Sequence, residues 1–248
     1  MQVSFLPEFL GAGTMVNIVA ILIGSSVGIL IGARFSERSQ ELITDILGLI
    51  TILAAASALS ELWSREFIAS LPKGTPILAI LAAMLVGGLI GSVLQLEKKL
   101  DHFGENLRRK FRASSEGTFV EGFVSASLLF VIGPLAILGS VSDGMSQGLD
   151  QLLLKSALDF FAAMAFASSL GWGVAASAIP VAIYQGFWTV IGFFLGEILS
   201  TTQVQAMTIA GGLMLVGIGL RLLGIKRIAV ANLLPALVTA PVIVLALG

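Results

Sequence analysis

Lys155 and Asp159 are the two residues whose types and spacing most directly suggest chemistry. They stand four residues apart in a segment otherwise rich in Leu, Ala and Phe, so on a helix they share one face and can form an ion pair. A carboxylate is costly to bury in an apolar helix and is by default a functional candidate. We expect Asp159, with Lys155, to carry charge or proton coupling. The alternative is an ion pair that only locks the fourth and fifth predicted spans (near residues 118–140 and 151–169) together.

A proline next to a glycine marks a second candidate, a break in the preceding apolar segment. Pro134 lacks an N–H group and clashes with the preceding helical turn, and Gly133 makes the break easier. A broken helix exposes backbone amides and carbonyls that can bind ions or polar solutes. We predict a binding site formed by this break and by the hydroxyl groups of Ser125, Ser127 and Ser140. A proline kink packed by neighbouring helices is the structural alternative.

Four further polar residues are weaker candidates for the same site. Asn17 lies on the face of its segment that carries a glycine repeat, where a hydrogen bond between helices is the simpler role. Gln185 and Asn232 each lie within a few residues of a proline, which suggests two more interrupted helices. Asp143 lies in the connection that follows the proline-containing segment. We include all four in the predicted ion-binding or solute-binding set.

Several classes of site are excluded by what the sequence lacks. The chain has no cysteine and a single histidine, His102, which argues against disulfides, thiolate metal sites and histidine-based centres. No Gly-x-x-x-x-Gly-Lys-Ser/Thr phosphate loop is present. No combination of nucleophile, base and orienting group can be identified. We therefore expect no enzymatic activity, no metal, no cofactor and no nucleic-acid partner.

The composition predicts the elements that must position these residues. Of 248 residues, 56% are hydrophobic, 12% are charged and 28 are glycine, whereas soluble domains have about 25% charged residues. Apolar segments of about 20 residues are long enough to cross a bilayer. We predict an all-α polytopic membrane protein, a single membrane domain over residues 1–248. Its eight expected spans lie near residues 14–33, 45–62, 76–96, 118–140, 151–169, 174–197, 205–222 and 227–247.

The distribution of basic residues predicts the orientation of these spans. Most of the 14 Lys and Arg residues lie after the first, third and seventh spans, which the positive-inside rule assigns to the cytoplasm. Both termini are then expected on the outer side. Residues 97–117 form a basic cytoplasmic loop, which is either a short amphipathic helix on the anionic leaflet or a solvated connector.

Short internal matches suggest a repeat. The pattern Ala-Ile-Leu, four residues, Val-Gly, one residue, Leu-Ile-Gly occurs at residues 20–32 and again at residues 79–91. Glycines of the first two spans recur at an offset of 164. The chain could therefore hold an inverted-topology repeat, a common plan of secondary transporters, with residues 14–96 and 174–248 flanking a central polar helix pair at 118–170. Chance matches between glycine-rich packing motifs are the alternative.

Several motifs resemble those of the YqgA/YdfK-type bacterial inner-membrane proteins. The resemblance covers nearly the whole chain, with Val131 standing where many relatives have a cysteine. It implies a location in the bacterial cytoplasmic membrane. It assigns no catalytic residues, since that family is known as a domain of unknown function that is often described as a transport candidate. The matching motifs are Gly13-Thr14-x-x-Asn17, the run from Ser125 through Gly133-Pro134 to Asp143-Gly144, Leu154-Lys155-Ser156-x-x-Asp159 and Tyr184-Gln185-Gly186.

Two functions from different classes follow. The first is a small secondary transporter or channel-like protein for an ion or small polar solute, since buried polarity is concentrated at a helix break. The second is a membrane scaffold or assembly protein whose glycine faces mediate packing, with a homodimer as one outcome. The partners we expect under the first function are the lipid bilayer and the solute.

Overall fold

The computed structural model describes residues 9–110, 116–195 and 199–247, and helices dominate these ranges. Two short 3-10 helices, Ser60–Trp63 and Val230–Leu233, accompany the α-helices. In chain order the α-helices of the described ranges are α1 (Ala12–Gly32), α2 (Glu37–Leu59), α3 (Arg65–Ala69), α4 (Pro76–Val93), α5 (Leu96–Lys110), α6 (Glu116–Ile132), α7 (Pro134–Gly144), α8 (Asp150–Leu170), α9 (Gly173–Ala176), α10 (Ala178–Leu195), α11 (Thr201–Leu222) and α12 (Ala236–Leu247).

The predicted membrane architecture is confirmed. Seven helices or helix runs of the described chain are long and apolar enough to cross a membrane, and the bent pair α6–α7 makes an eighth. Many of their large apolar side chains point away from the protein: Leu89 of α4 is 67% exposed and Val93 is 82% exposed. Such faces are what lipid contact requires. The second span differs most from its predicted bounds, because its helix begins at Glu37 rather than near residue 45.

The chain folds into two compact units, each built from discontinuous segments. The first unit contains α1 and α6 to α10. The second unit contains α2 to α5, α11 and α12. Each unit therefore draws helices from both predicted repeats. The inverted repeat itself stays a prediction.

In the first unit, α1 and α8 pack backbone to backbone. Added Cβ atoms at Gly24, Gly28 and Gly32 would all lie within 3.0 Å of carbonyl oxygens of α8, closer than real side chains approach. The three glycines, spaced four residues apart, keep one face of α1 free of side chains. The opposite face is apolar and exposed; Leu30, for example, is 72% exposed. The glycine face therefore packs inside the chain and the other face is left for lipid.

The predicted break at Gly133-Pro134 is present in the structure. The axes of α6 and α7 differ by 62°, and Gly133 at the junction has an extended backbone, with φ −75° and ψ 145°. Pro134 is the first residue of α7, where its missing N–H group costs nothing because the first turn of a helix has no intrahelical acceptor. The fourth predicted span is thus two helices rather than a continuous one.

In the second unit, glycines again allow close helix contacts. A Cβ atom at Gly87 or Gly91 of α4 would collide with the backbone of Ala236 or Asn232. The basic loop predicted at residues 97–117 begins as the helix α5 (Leu96–Lys110); its position on the anionic leaflet stays a prediction. Residues 111–115 of that loop lie outside the described residues.

Because glycines of α1 contact α8, replacing one of them by alanine should lower the stability of the fold, whereas the same change at an uncrowded glycine should not. Gly28→Ala should lower the stability by about 1–3 kcal/mol, because its Cβ atom would overlap the carbonyl of Met164 and the helices would have to separate. Gly186→Ala is the matched control, since nothing lies within 4 Å of a Cβ atom at that helical glycine. Thermal unfolding of the purified protein in detergent measures both. Equal transition midpoints for the two variants would contradict the described packing.

Candidate functional site

A buried ion pair is the centre of the candidate site. Lys155 Nζ lies 2.5 Å from Asp159 Oδ2, and the two residues are 5% and 6% exposed. Both belong to α8, one helical turn apart, as their spacing predicted. Two opposite charges in a protein interior offset each other's desolvation only in close contact, and this geometry provides that contact.

Asn17 of α1 completes this cluster. Its side-chain amide Nδ2 donates to Asp159 Oδ2 at 2.9 Å, across 142 residues of sequence. The glycine face of α1 makes this bond geometrically accessible, since it brings the two backbones together. The interhelical role expected for Asn17 is thus confirmed. The structural alternative, an ion pair that locks the fourth and fifth predicted spans together, has the wrong helix: Asp159 is bonded to Asn17 of the first predicted span.

The ion pair lies beside the broken helix. The ring of Phe130, in the last turn of α6, is 5.9 Å from Lys155 Nζ, within the range of a cation–π contact. Gly133 follows one turn later. The structure therefore brings Asn17, Lys155 and Asp159 together, next to the residues that precede the predicted break.

Several buried side chains around these helices have polar atoms that no described residue satisfies. Buried polar atoms are nearly always hydrogen-bonded to protein or to water, so each of these atoms asks for an explanation. Gln185 is the extreme case, because both atoms of its amide are without a partner although the residue is fully buried. In the first unit these atoms include Thr14 Oγ1, Asn17 Oδ1, Ser25 Oγ, Ser125 Oγ, Gln185 Nε2 and Gln185 Oε1.

The other two predicted hydroxyl groups bond within their own helices. Ser127 Oγ donates to the carbonyl of Phe123 at 2.5 Å, and Ser140 Oγ donates to that of Ala136 at 2.6 Å. These are the back-bonds that serine makes to the preceding turn. A solute could still use the remaining lone pairs of these oxygens, but the structure gives Ser125 the freer hydroxyl group.

Asp143 contacts the end of a helix rather than the ion pair. Its Oδ2 accepts the backbone N–H of Gly13 at 3.1 Å, and the backbones of Gly11 and Thr14 also bond to this carboxyl group. The first N–H groups of α1 have no acceptor within the helix. Asp143, from the end of α7, supplies one and adds a negative charge at the positive end of the helix. Its described contacts are those of a cap.

Asn232 belongs to the second unit and has its partners there. Its Oδ1 accepts the backbone N–H of Glu97 at 2.9 Å. The Glu97 carboxylate in turn accepts the N–H of Ala231 at 2.8 Å and a hydrogen bond from Arg221 at 3.0 Å. The group joins the start of α5 to the 3-10 helix before α12. The group belongs to the second unit, whereas the cluster around Asp159 belongs to the first.

Some of these residues are not among those predicted from the sequence. Thr14 and Ser25 are not in the predicted site, although they lie on the same face of α1 as Asn17. Their spacing of three and eight residues from Asn17 is the signal that places them on that face of a helix. Glu97 falls in the predicted basic loop and Arg221 at the end of the seventh predicted span, and no local pattern links them. Among the described residues, no group of three or more His, Asp or Glu side chains could hold a metal.

The cluster predicts an asymmetry between breaking and replacing the ion pair. Lys155→Met should destabilise the protein by about 3 kcal/mol, because it leaves Asp159 buried without its cation. The double variant Lys155→Met/Asp159→Leu should recover most of that loss, since no unpaired charge is left. Thermal unfolding in detergent compares the two. A double variant that is less stable than the single one would contradict this account of the pair.

The fold and the cluster together define a class: a helical, multi-spanning membrane protein with an ion pair buried between its helices. Comparisons with known proteins then place the chain. A family model described as "Protein of unknown function (DUF554)" matches residues 12–245. The chain belongs to this family.

Two curated relatives cover nearly all of the chain. The "Uncharacterized membrane protein YdfK" of Bacillus subtilis (strain 168) is 29% identical over 94% of this chain and 95% of its own length. The "Uncharacterized protein YqgA" of Escherichia coli (strain K12) is 32% identical over 92% of this chain and 94% of its own length. The resemblance found in the sequence is confirmed. No solved structure matches the chain.

Proposed function

We propose that the protein is a small secondary transporter or channel-like protein of the bacterial inner membrane that moves an ion or a small polar solute. The path runs through the first unit, beside Asp159, Lys155 and the Gly133 break. One observation carries this proposal: buried polar atoms without a partner among the described residues gather on α1 and α6, which pack against the helix of the ion pair, and on α10, which packs against both. Such atoms cost free energy unless water or a solute bonds to them.

The buried polar residues of α1 extend along a large part of the proposed path. Thr14, Asn17 and Ser25 are all buried and lie on one face of the helix. At a rise of about 1.5 Å per residue, the stretch from the first to the last of them covers about 16 Å, which is roughly half of the hydrocarbon core of a bilayer. Each of the three side chains has an oxygen atom without a partner among the described residues. A solute moving beside α1 would meet Thr14 and Asn17 in neighbouring turns and Ser25 about two turns further on.

The ion pair is the selective element of the proposed path. A cation that binds Asp159 has to displace the ammonium group of Lys155, and an anion that binds Lys155 has to displace the carboxylate. A proton taken up by Asp159 also frees Lys155, which couples protonation to binding. In each case one member of the pair loses its partner, and an unpaired charge in the interior is costly. The released Lys155 or Asp159 therefore needs water or a co-transported ion as its new partner. The open space at Gly133 lies one turn from Phe130, which contacts Lys155.

The inverted repeat is part of this proposal, and the second unit supports it. Helix α2 begins at Glu37 and α11 at Thr201, and these two positions have the same offset of 164 that relates the glycines. The contacts are reciprocal under that offset, which pairs position 48 with 212 and position 59 with 223. A Cβ atom at Gly48 would collide with Leu223, and one at Gly212 would approach Leu59. Repeats of opposite orientation supply the two mirrored states of alternating access.

The scaffold function remains the second candidate, because Asp159 has two protein partners and could serve only to hold α1 against α8. The glycine faces support it less than the sequence suggested. Gly24, Gly28 and Gly32 pack on α8, and Gly87 and Gly91 pack within the second unit, so these faces are used inside one chain. A scaffold would also leave the unpartnered polar atoms of the first unit without a role.

Flux through proteoliposomes tests the proposal. Purified protein is screened on a solid-supported membrane with alkali cations, halides, small carboxylates and amino acids, with and without a pH gradient. Asp159→Asn should reduce the flux of the responding solute at least tenfold, because an amide can neither pair with Lys155 as an anion nor carry a proton.

Asp150→Asn is the matched control for this experiment. It removes the same charge from the same helix, but Asp150 is exposed in the first turn of α8. The flux through this control variant should therefore equal that of the native protein. The proposal is wrong if Asp159→Asn also transports at the native rate. It is equally wrong if the folded native protein moves none of these solutes faster than protein-free liposomes do.

A further inference from the structure

The exposed face of α5 carries positive charge and no carboxylate. Within the second unit, α5 packs through its buried residues Gly104 and Leu107. Its acidic residues Glu97, Asp101 and Glu105 are all partly buried. The exposed residues of α5 are Lys98, Lys99, His102, Phe103, Asn106, Arg109 and Lys110. The sequence of α5 mixes both signs of charge, but the fold sorts them onto different faces.

Two of the three acids are already bonded to cations. Glu97 accepts from Arg221 of α11 at 3.0 Å. Glu105 accepts two hydrogen bonds from Arg108, at 2.6 and 2.8 Å, and a third from Arg109 at 3.2 Å. The bonds from Arg108, followed by those from Arg109, lower the pKa of Glu105 to about 2, so it is ionised at any physiological pH. These acids therefore add little negative potential to the exposed face.

The short connection between α4 and α5 determines the level of α5 relative to the membrane. Val93, the last residue of α4, is 82% exposed and the following Leu94 is 47% exposed, as expected of apolar side chains that contact lipid. Gln95 follows with a left-handed φ of 53°, which turns the chain, and α5 begins at the next residue. A helix that starts within two residues of a lipid-exposed span end lies at the level of the lipid headgroups. Phe103, 40% exposed among the cations, is an aromatic side chain suited to that interface.

We propose that the exposed face of α5 binds the anionic headgroups of the phospholipids around the protein, through Lys98, Lys99, Arg109 and Lys110. Lysine presents a compact charge to a phosphate and arginine adds directed donors. Clusters of four or more such residues next to a span are typical of anionic-lipid binding. The site does not depend on the transport path and stands whether or not the protein transports a solute.

Native mass spectrometry of the full-length protein tests this proposal. The protein is released from nanodiscs in which phosphatidylglycerol is the minor lipid in a phosphatidylcholine bilayer, and the lipids retained per protein are counted. The native protein should retain phosphatidylglycerol over phosphatidylcholine. The variant Lys98→Gln/Lys99→Gln/Arg109→Gln/Lys110→Gln should lose at least tenfold of this preference, and the pair Lys99→Gln/Lys110→Gln should lose part of it.

A second fourfold variant provides the matched control. Arg34, Arg38, Lys226 and Arg227 are also exposed cations near span ends, and their replacement by glutamine makes the same change in net charge. This control should keep the lipid preference of the native protein. The proposal is overturned if the α5 variants bind phosphatidylglycerol like the native protein, or if the control loses as much preference as they do, since the binding would then reflect net charge alone.

Discussion

The direct contact between the backbones of α1 and α8 is the constraint on which the candidate site depends. Side chains on either facing surface would hold the two helix axes apart, and glycine at three successive turns of α1 removes them. Only then can the short side chain of Asn17 reach Asp159 at 2.9 Å. Because helices so close cannot slide without collision, the polar residues of α1 are held at fixed heights along α8. The packing thus determines the position of the polar groups.

Buried charge is handled in the same chemical way in both units. In the first unit, one carboxylate is bonded to a lysine and to an asparagine amide. In the second unit, Glu97 is bonded to an arginine, and its backbone N–H is bonded to Asn232. The difference lies in what surrounds them. The Glu97 group joins backbone ends, and Arg221 Nε is its one buried side-chain atom without a partner among the described residues. The Asp159 group adjoins a broken helix and several such atoms. This difference is why we place the path in the first unit.

Local patterns predicted the features that depend on local chemistry. The apolar segments, the pair at Lys155 and Asp159 and the break at Gly133 each follow from residues within one or two turns, where geometry is fixed by the helix itself. Partners distant in sequence could not be predicted. Asp143 is 130 residues from the helix end that it caps, and nothing in the segment around Asn232 indicates that it would face Glu97. Such pairs are selected by the packing of whole helices, which a single sequence does not reveal.

Access of water to the unpartnered polar side chains is the central claim, and the absence of cysteine from the chain makes it directly measurable. Ser125→Cys and Ala126→Cys introduce single thiols at adjacent, fully buried positions of α6. A charged methanethiosulfonate reagent reacts with the thiolate form of cysteine, which forms only where water reaches the thiol. We predict that the thiol at position 125 is labelled in intact membranes and that the one at position 126 is not. Equal protection of both thiols in the folded protein, with full labelling after denaturation, would contradict the account.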